Sequence, residues 1–170
     1  MQAFRQLVEK YKDVSLSLAC SVLKDRAAAE DVLQDSFLKV YSSLHSFKGQ
    51  AAFSSWLYRI VVNTSFTAQK KLKKYSEREE VSETENQYLH QSNPLKLEDQ
   101  KRCIQEALDR LKPDEALVLR LFYLCELSLK EVRRITRFSE AKIKVDLHRG
   151  RKNMHLHLKN MLGKEIDELL

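Results

Sequence analysis

Apolar residues recur at three- and four-residue spacing along most of this chain, the interval that gathers side chains on one face of an α-helix. From about residue 3 to 23 the stripe is Phe4, Leu7, Val8, Tyr11 and Val14. Asp25 then stands as the N-cap of a second helix running to about residue 43, with Leu33, Phe37, Val40, Tyr41 and Leu44 as its expected inner face. The stretch "HSFKGQAA" breaks the pattern, and Gly49 marks the turn. A third helix starts near Phe53, turns Trp56, Leu57, Ile60 and Val61 inward, and continues into a lysine run. Periodicity resumes near residue 97 with one helix to about residue 111. Pro113 suits the first turn of the next, where no N–H is needed. Ser128 and Glu131 have capping-box spacing, and Ser139 is a second N-cap. Between them "RITRF" is too short for more than a tight turn, so the pair reads as a helix-turn-helix.

Composition agrees with helices. Only 3 Gly and 2 Pro occur in 170 residues, so little interrupts helical segments. The expected fold class is all-α: two small helical domains joined by a flexible acidic linker, the C-terminal one carrying the helix-turn-helix. Charge marks the linker. Residues 51–75 contain no carboxylate, whereas residues 76–99 hold Glu77, Glu79, Glu80, Glu83, Glu85, Glu98 and Asp99 against two cations. That segment is too poor in apolar residues to form a core. The expected divisions are therefore 1–75, 76–99 and 100–170. No run approaches the length of a membrane span, and no secretory apolar core opens the chain. A soluble cytoplasmic protein without membrane insertion is expected. Cys20, Cys103 and Cys125 are too scattered for a disulfide framework and read as inert thiols. No residues have metal-ligand spacing, and neither a cofactor nor a catalytic constellation is expected.

Three surfaces carry candidate chemistry. The net charge of +6 suits a polyanionic partner, and the cations concentrate in the C-terminal half. Residues 128–159 carry ten Lys or Arg against Glu131, Glu140 and Asp146. With Ile143 and Leu147 turned inward, Lys142, Lys144, Val145, His148 and Arg149 face outward. Arg149 can donate two hydrogen bonds to a guanine edge, and Lys144, Arg151 and Lys152 suit phosphates. On the second helix Asp31, Gln34, Asp35 and Leu38 line up opposite the core face. That acidic ridge would repel phosphate and suits a basic or polar protein partner. Trp56, Tyr58, Arg59 and Asn63, beside the loop and the lysine tail, are what an unstacked base requires for stacking and hydrogen bonding. Trp56 also has the spacing of a core residue.

In order and spacing, "AEDVLQDSFLKVY", "FKGQAAFSSWLYRIVVNT", "LDRLKPDEALVLRLFY" and "SLKEVRRITRFSEAKIKVDLHRGRK" resemble the extracytoplasmic-function (group IV, sigma-70 family) sigma factors of bacterial RNA polymerase. The resemblance implies a non-enzymatic protein with a region 2 and a region 4, which binds core polymerase and directs promoter-specific transcription initiation. Asp31, Gln34 and Asp35 match the face that docks on the β′ clamp helices. Phe47, Lys48, Gly49, Gln50, Ala51 and Ala52, with Asn63, match the part that captures a flipped base of the −10 element, and Lys70 and Lys71 would follow the opened strand. Ser139, Lys142, Lys144, Val145, His148, Arg149, Arg151 and Lys152 fall on the helix that enters the −35 duplex. The "LVLRLFY" helix matches a scaffold that meets the β flap, and an anti-sigma factor is a common partner.

Three departures from the family pattern bear on the −35 helix. Arg133 stands where a small residue is usual. Arg137 stands where glycine is common in the turn, and lacks glycine's backbone freedom. Gly150 replaces the usual alanine and is expected to weaken its helix by roughly 1 kcal/mol. The alternative reading is a conventional DNA-binding regulator with an N-terminal sensing or dimerising domain. It accounts for the basic helix but not for the ridge or the loop with Asn63.

Overall fold

The computed structural model describes residues 2–76 and 96–162. The expected acidic linker lies, for residues 77–95, outside the described residues. Among those described, all regular structure is helical: α1 (Gln2–Leu23), α2 (Arg26–Ser43) with a short 3₁₀ turn (Leu44–Ser46), α3 (Phe53–Ser76), α4 (Lys96–Asp109), α5 (Pro113–Leu119), α6 (Leu129–Thr136) and α7 (Glu140–Leu162). The expected starts and stops are realised by local chemistry. Asp25 accepts a hydrogen bond from the Ala28 N–H and begins α2. Pro113 opens α5. Ser128 and Glu131 form a complete capping box on α6, and the Ser139 hydroxyl accepts from the Lys142 N–H at the start of α7. Residues 120–124 continue α5 as one π-helical turn.

The N-terminal half is a bundle in which α1, α2 and α3 each touch the other two. Its centre is Leu18, Val22, Val40, Leu57, Val61 and Val62, each at most 1 % exposed. Each such side chain contributes about 1.5–3 kcal/mol of burial. The inner face of α2 differs from the expected one. Ala29, Val32, Ser36, Phe37 and Val40 point inward, while Tyr41 is 59 % exposed and Leu44 39 %. The small residues Ala29 and Ser36 let α2 approach its neighbours closely, and that rotates the buried stripe away from the larger Tyr41 and Leu44.

In the C-terminal half α7 crosses α4, α5 and α6, burying Ile143 and Leu147 as the pattern predicts. Gly150 plays a different part from the one expected of it. A Cβ there would lie 3.0 Å from Leu119 Cδ1 and 3.2 Å from Leu119 Cγ. The glycine allows α7 to pack directly against α5, and the packing offsets its poor helix propensity.

The two halves also pack on each other, α1 against α5 and α3 against α6. Arg120, in the middle of an apolar run, is 1 % exposed. Its Nε donates to Ser17 Oγ at 2.7 Å and an Nη to Asp109 at 2.8 Å. Asp109 remains partly in solvent, so the pair stabilises less than a wholly buried one. Lys24 Nζ donates to the backbone carbonyls of Asp109 and Leu111, each at 2.7 Å. These two cations from opposite halves pin α1 to the end of α4.

Candidate nucleic-acid interface

The loop between the 3₁₀ turn and α3 needs a reversal of the chain, and Gly49 supplies it at φ +68°. Phe47 then folds back so that its ring meets Phe53 and Trp56 at centroid distances of 5.5 and 5.2 Å, and Phe53 meets Trp56 at 5.5 Å. Three rings in mutual contact fix the loop onto the start of α3. Beside them opens a cavity of about 640 Å³ lined by Phe47, Lys48, Gln50, Ala51, Trp56 and Arg59, with Ser46 and Ser55. Trp56 is only half-buried. It belongs both to the core edge and to the cavity wall, so its two readings are compatible.

Asn63 is not part of this cavity. It lies two turns further along α3, in a groove with Lys39, Ser42, Ser43, Ile60, Thr64 and Thr67. Lys39 Nζ donates to Thr64 Oγ1 at 3.1 Å across that groove. The structure therefore brings Phe47, Lys48, Gln50 and Ala51 together with Trp56 and Arg59, and places Asn63 in a second polar recess further along α3, against α2. Beyond it Lys70 and Lys71 are exposed on the last turns of α3. Loop residue Ala52 is exposed and accepts, through its carbonyl, the Trp56 N–H.

On α2, Asp31, Gln34 and Asp35 are exposed, and Leu38 beside them is 68 % exposed. Neither aspartate has an ion pair among the described residues. Tyr41 continues the same face and is held edge-on by Phe4 at 5.0 Å. The ridge thus ends in an apolar patch of Leu38 and Tyr41, of which the sequence pattern had assigned Tyr41 to the core.

The helix-turn-helix turns at Arg137, which adopts a left-handed conformation at φ +62°. Its N–H donates to the Arg133 carbonyl and closes the end of α6. The strain expected of a non-glycine residue is present there, at roughly 1–2 kcal/mol. Along α7 the predicted cations divide. Lys142 is committed internally, its Nζ 2.8 Å from both Asp114 and Asp146 and 4.6 Å from the Phe138 ring centroid. Burial lowers its pKa, but the two carboxylates outweigh that and hold the group above its ordinary value. Lys144 pairs with Glu140 at 2.7 Å in open solvent, a pairing that a phosphate can replace. Arg151 donates to the Tyr123 hydroxyl at 3.2 Å. Val145, His148, Arg149 and Lys152 are exposed and have no such ties among the described residues. Of the "LVLRLFY" run, residues 117–121 are buried, and the exposed groups at its end are Tyr123 and Leu124.

Sequence reasoning missed Arg120, Lys24 and the role of Gly150. A cation at a core position of "ALVLRLFYL" was a readable signal for Arg120; Lys24 gave none. The thiols are half-buried, and burial raises the pKa of Cys20 and pushes Cys125 to about 11. At these two positions burial disfavours the thiolate. No helix among the described residues is long and apolar enough to cross a membrane.

Comparison with known proteins places this geometry. Residues 7–75 match the family model for sigma-70 region 2, and residues 101–154 that for sigma-70 region 4. The chain is 30 % identical over 169 residues to the ECF RNA polymerase sigma factor SigW of Bacillus subtilis, covering 94 % of this chain and 90 % of that one. It is 44 % identical over 64 residues to the RNA polymerase sigma-H factor of Pseudomonas aeruginosa, covering 38 % of this chain and 33 % of that one. Among solved structures, the sigma factor RpoE in complex with the anti-sigma factor NepR, from Bartonella quintana, superposes with a TM-score of 0.74 at 22 % identity, covering 94 % and 98 % of the two chains.

Proposed function

This chain belongs to the extracytoplasmic-function (ECF) sigma factors of RNA polymerase, and from that membership we propose how its surfaces divide promoter recognition. It confers promoter specificity on core polymerase and carries out no covalent chemistry of its own. The observation that carries the division is the presence, on one chain, of a concave aromatic–basic cavity and a convex basic helix. A base lifted from the stack must be enclosed and restacked, whereas a duplex edge must be reached by something that protrudes.

In this division residues 47–52, with Trp56 and Arg59, hold an extruded base of the −10 element. Asn63 in its own recess contacts a neighbouring position, and Lys70 and Lys71 follow the opened strand. The α7 helix enters the −35 major groove. Val145, His148 and Arg149 face base edges, while Lys144, Arg151 and Lys152 meet phosphates, and Ser139 sits at the helix start. Lys142, fixed by Asp114 and Asp146, orients α7 more than it reads DNA. Asp31, Gln34 and Asp35, extended by Leu38 and Tyr41, dock on the β′ clamp helices, and Tyr123 and Leu124 meet the β flap. The chain works in the cytoplasm, where an anti-sigma factor is its natural antagonist. The domain divisions are 1–75, 76–99 and 100–170.

In vitro transcription with purified core polymerase over a promoter library tests this reading. Promoter-selective transcripts that need this chain are expected. Tight sequence-specific duplex binding without polymerase, and no transcription with it, would return the chain to the class of conventional regulators.

A further inference from the structure

Past Gln69, α3 projects from its bundle. The Gln69 side chain donates to the Val22 carbonyl at 2.6 Å, and residues 70–75 beyond it are all exposed. Two of them are large and apolar: Tyr75 is 67 % exposed and Leu72 48 %. Core packing does not account for either, and a Leu–Tyr pair at this spacing steadies a helical turn only slightly. We propose that Tyr75, flanked by Leu72, is a stacking platform for an unpaired base of the opened DNA strand. The inference rests on the sigma-factor reading of α3 and extends it to two residues which that reading leaves without a role.

Position, charge and the freedom of the ring support it. Asn63, Thr67, Lys71 and Tyr75 stand at four-residue steps, so they form one slanting row along α3. The row starts in the recess that Lys39 and Thr64 share with Asn63. It runs about 18 Å to its end, which is the reach of about five stacked nucleotides. Lys70 and Lys74, four apart, line one side of it. With Lys71 they have no ion pair among the described residues, and residues 51–75 contain no carboxylate. Such a surface attracts a phosphate backbone along its whole length. The ring itself is uncommitted. Tyr41 is held by Phe4, and Tyr123 by Phe122 and Arg151. Tyr75 has no ring or hydrogen-bond partner among the described residues. An open ring among cations suits a base of any identity, because every unstacked base offers a π-face.

The test uses the full chain without polymerase, because residues 70–75 are already exposed in it. Fluorescence anisotropy at low salt reads its affinity for a labelled oligothymidine of about 12 nucleotides, a length such surfaces accommodate. Tyr75→Ala should weaken binding about five- to tenfold, whereas Tyr75→Phe and Tyr75→Trp should retain it. Tyr75→Lys separates ring from charge: it adds a cation, yet should bind more weakly than wild type. Tyr75→Ala should keep the wild-type salt slope, while Lys70→Ala with Lys71→Ala should flatten it by about 1.4. In Tyr75→Trp the strand should quench emission beyond the loss that Trp56 gives in wild type. Equal binding by wild type and Tyr75→Ala, tighter binding by Tyr75→Lys, or no binding by wild type would each overturn the platform. So would a Tyr75→Ala loss confined to core polymerase, which would make the patch a protein contact. If Tyr75→Ala loses its helical signal, the quenching in Tyr75→Trp decides. Promoter-selective transcription together with ring-independent strand binding would reject the platform and keep the sigma-factor reading. Ring-dependent binding without such transcription would do the reverse.

Discussion

The two halves of this protein present opposite shapes and treat surface charge in opposite ways. In the N-terminal half the loop after α2 folds three aromatic rings together and leaves a hollow beside them. In the C-terminal half α7 presents a rounded face on which Lys142 and Lys144 already have carboxylate partners. The aspartates of the α2 ridge have none among the described residues. A duplex edge is read by a helix whose orientation must be fixed, and internal ion pairs such as Lys142 with Asp114 and Asp146 fix it. A protein partner is met by charges left unneutralised until docking, so that attraction is spent on the complex.

The strongest way to break this contrast is to reverse the ridge. Asp31→Arg with Asp35→Arg should weaken binding to core polymerase more than about 30-fold, as loss of a charged hot spot does. The fold should be unaltered because both residues are exposed. A fluorescence titration with core polymerase measures it, and unchanged affinity would remove the ridge from the interface. Next comes the packing that orients the reading helix. Gly150→Val forces branched carbon into the Leu119 contact and should cost about 1–3 kcal/mol, seen as a lower melting temperature. Its replacement by a larger residue without loss would mean that α7 is free to shift on α5.

Smaller effects sharpen the picture. Arg149→Ala should lower discrimination at the −35 element by about tenfold and leave polymerase affinity intact, as read by transcription from substituted promoters. Equal losses on every sequence would make Arg149 a phosphate contact. Arg137→Gly should stabilise the helix-turn-helix by about 0.5–1 kcal/mol, since the left-handed turn then costs less. Thermal melting checks the sign. The smallest effect is acid sensitivity of α6. Hydrogen bonds from the Ser128 side chain and then its backbone hold the Glu131 carboxyl below its ordinary value of 4.5. Its contribution is complete above that value and disappears as pH falls through the lowered one. Amide exchange of α6 should therefore quicken in acid, and not between pH 5 and 8.

Local signals made most of the fold legible. Asp25, Ser128 with Glu131, and Ser139 each begin a helix by a hydrogen bond within three residues, and Pro113 begins one by its fixed φ and missing N–H, so spacing alone locates them. The exposure of Asp31, Gln34 and Asp35 on α2 and of Val145, His148 and Arg149 on α7 followed from the same periodicity. Errors arose where the choice lay between two faces of similar polarity. Tyr41 and Leu44 read as core because they are large and apolar, but Ala29 and Ser36 gave the closer packing. Asn63 read as part of the loop site because it is near in sequence. Two helical turns put it in a separate recess.

The sequence by itself determined where helices begin and end, that a basic helix-turn-helix follows a carboxylate-rich stretch, and that Asp31, Gln34 and Asp35 of α2 and Val145, His148 and Arg149 of α7 reach solvent. Those outcomes depend on the helical period and on contacts between near neighbours. Only the tertiary structure decided that Gly150 is a packing site, that Lys142 is a strut, and that Arg120 and Lys24 fasten α1 to the far half. It alone put Glu131 over the cavity beside Trp56. Ser55 and Glu131 are 76 residues apart, and Ser17 and Arg120 are 103 apart. Partners at such separation are chosen by how whole faces fit together, and no spacing along the chain records that choice.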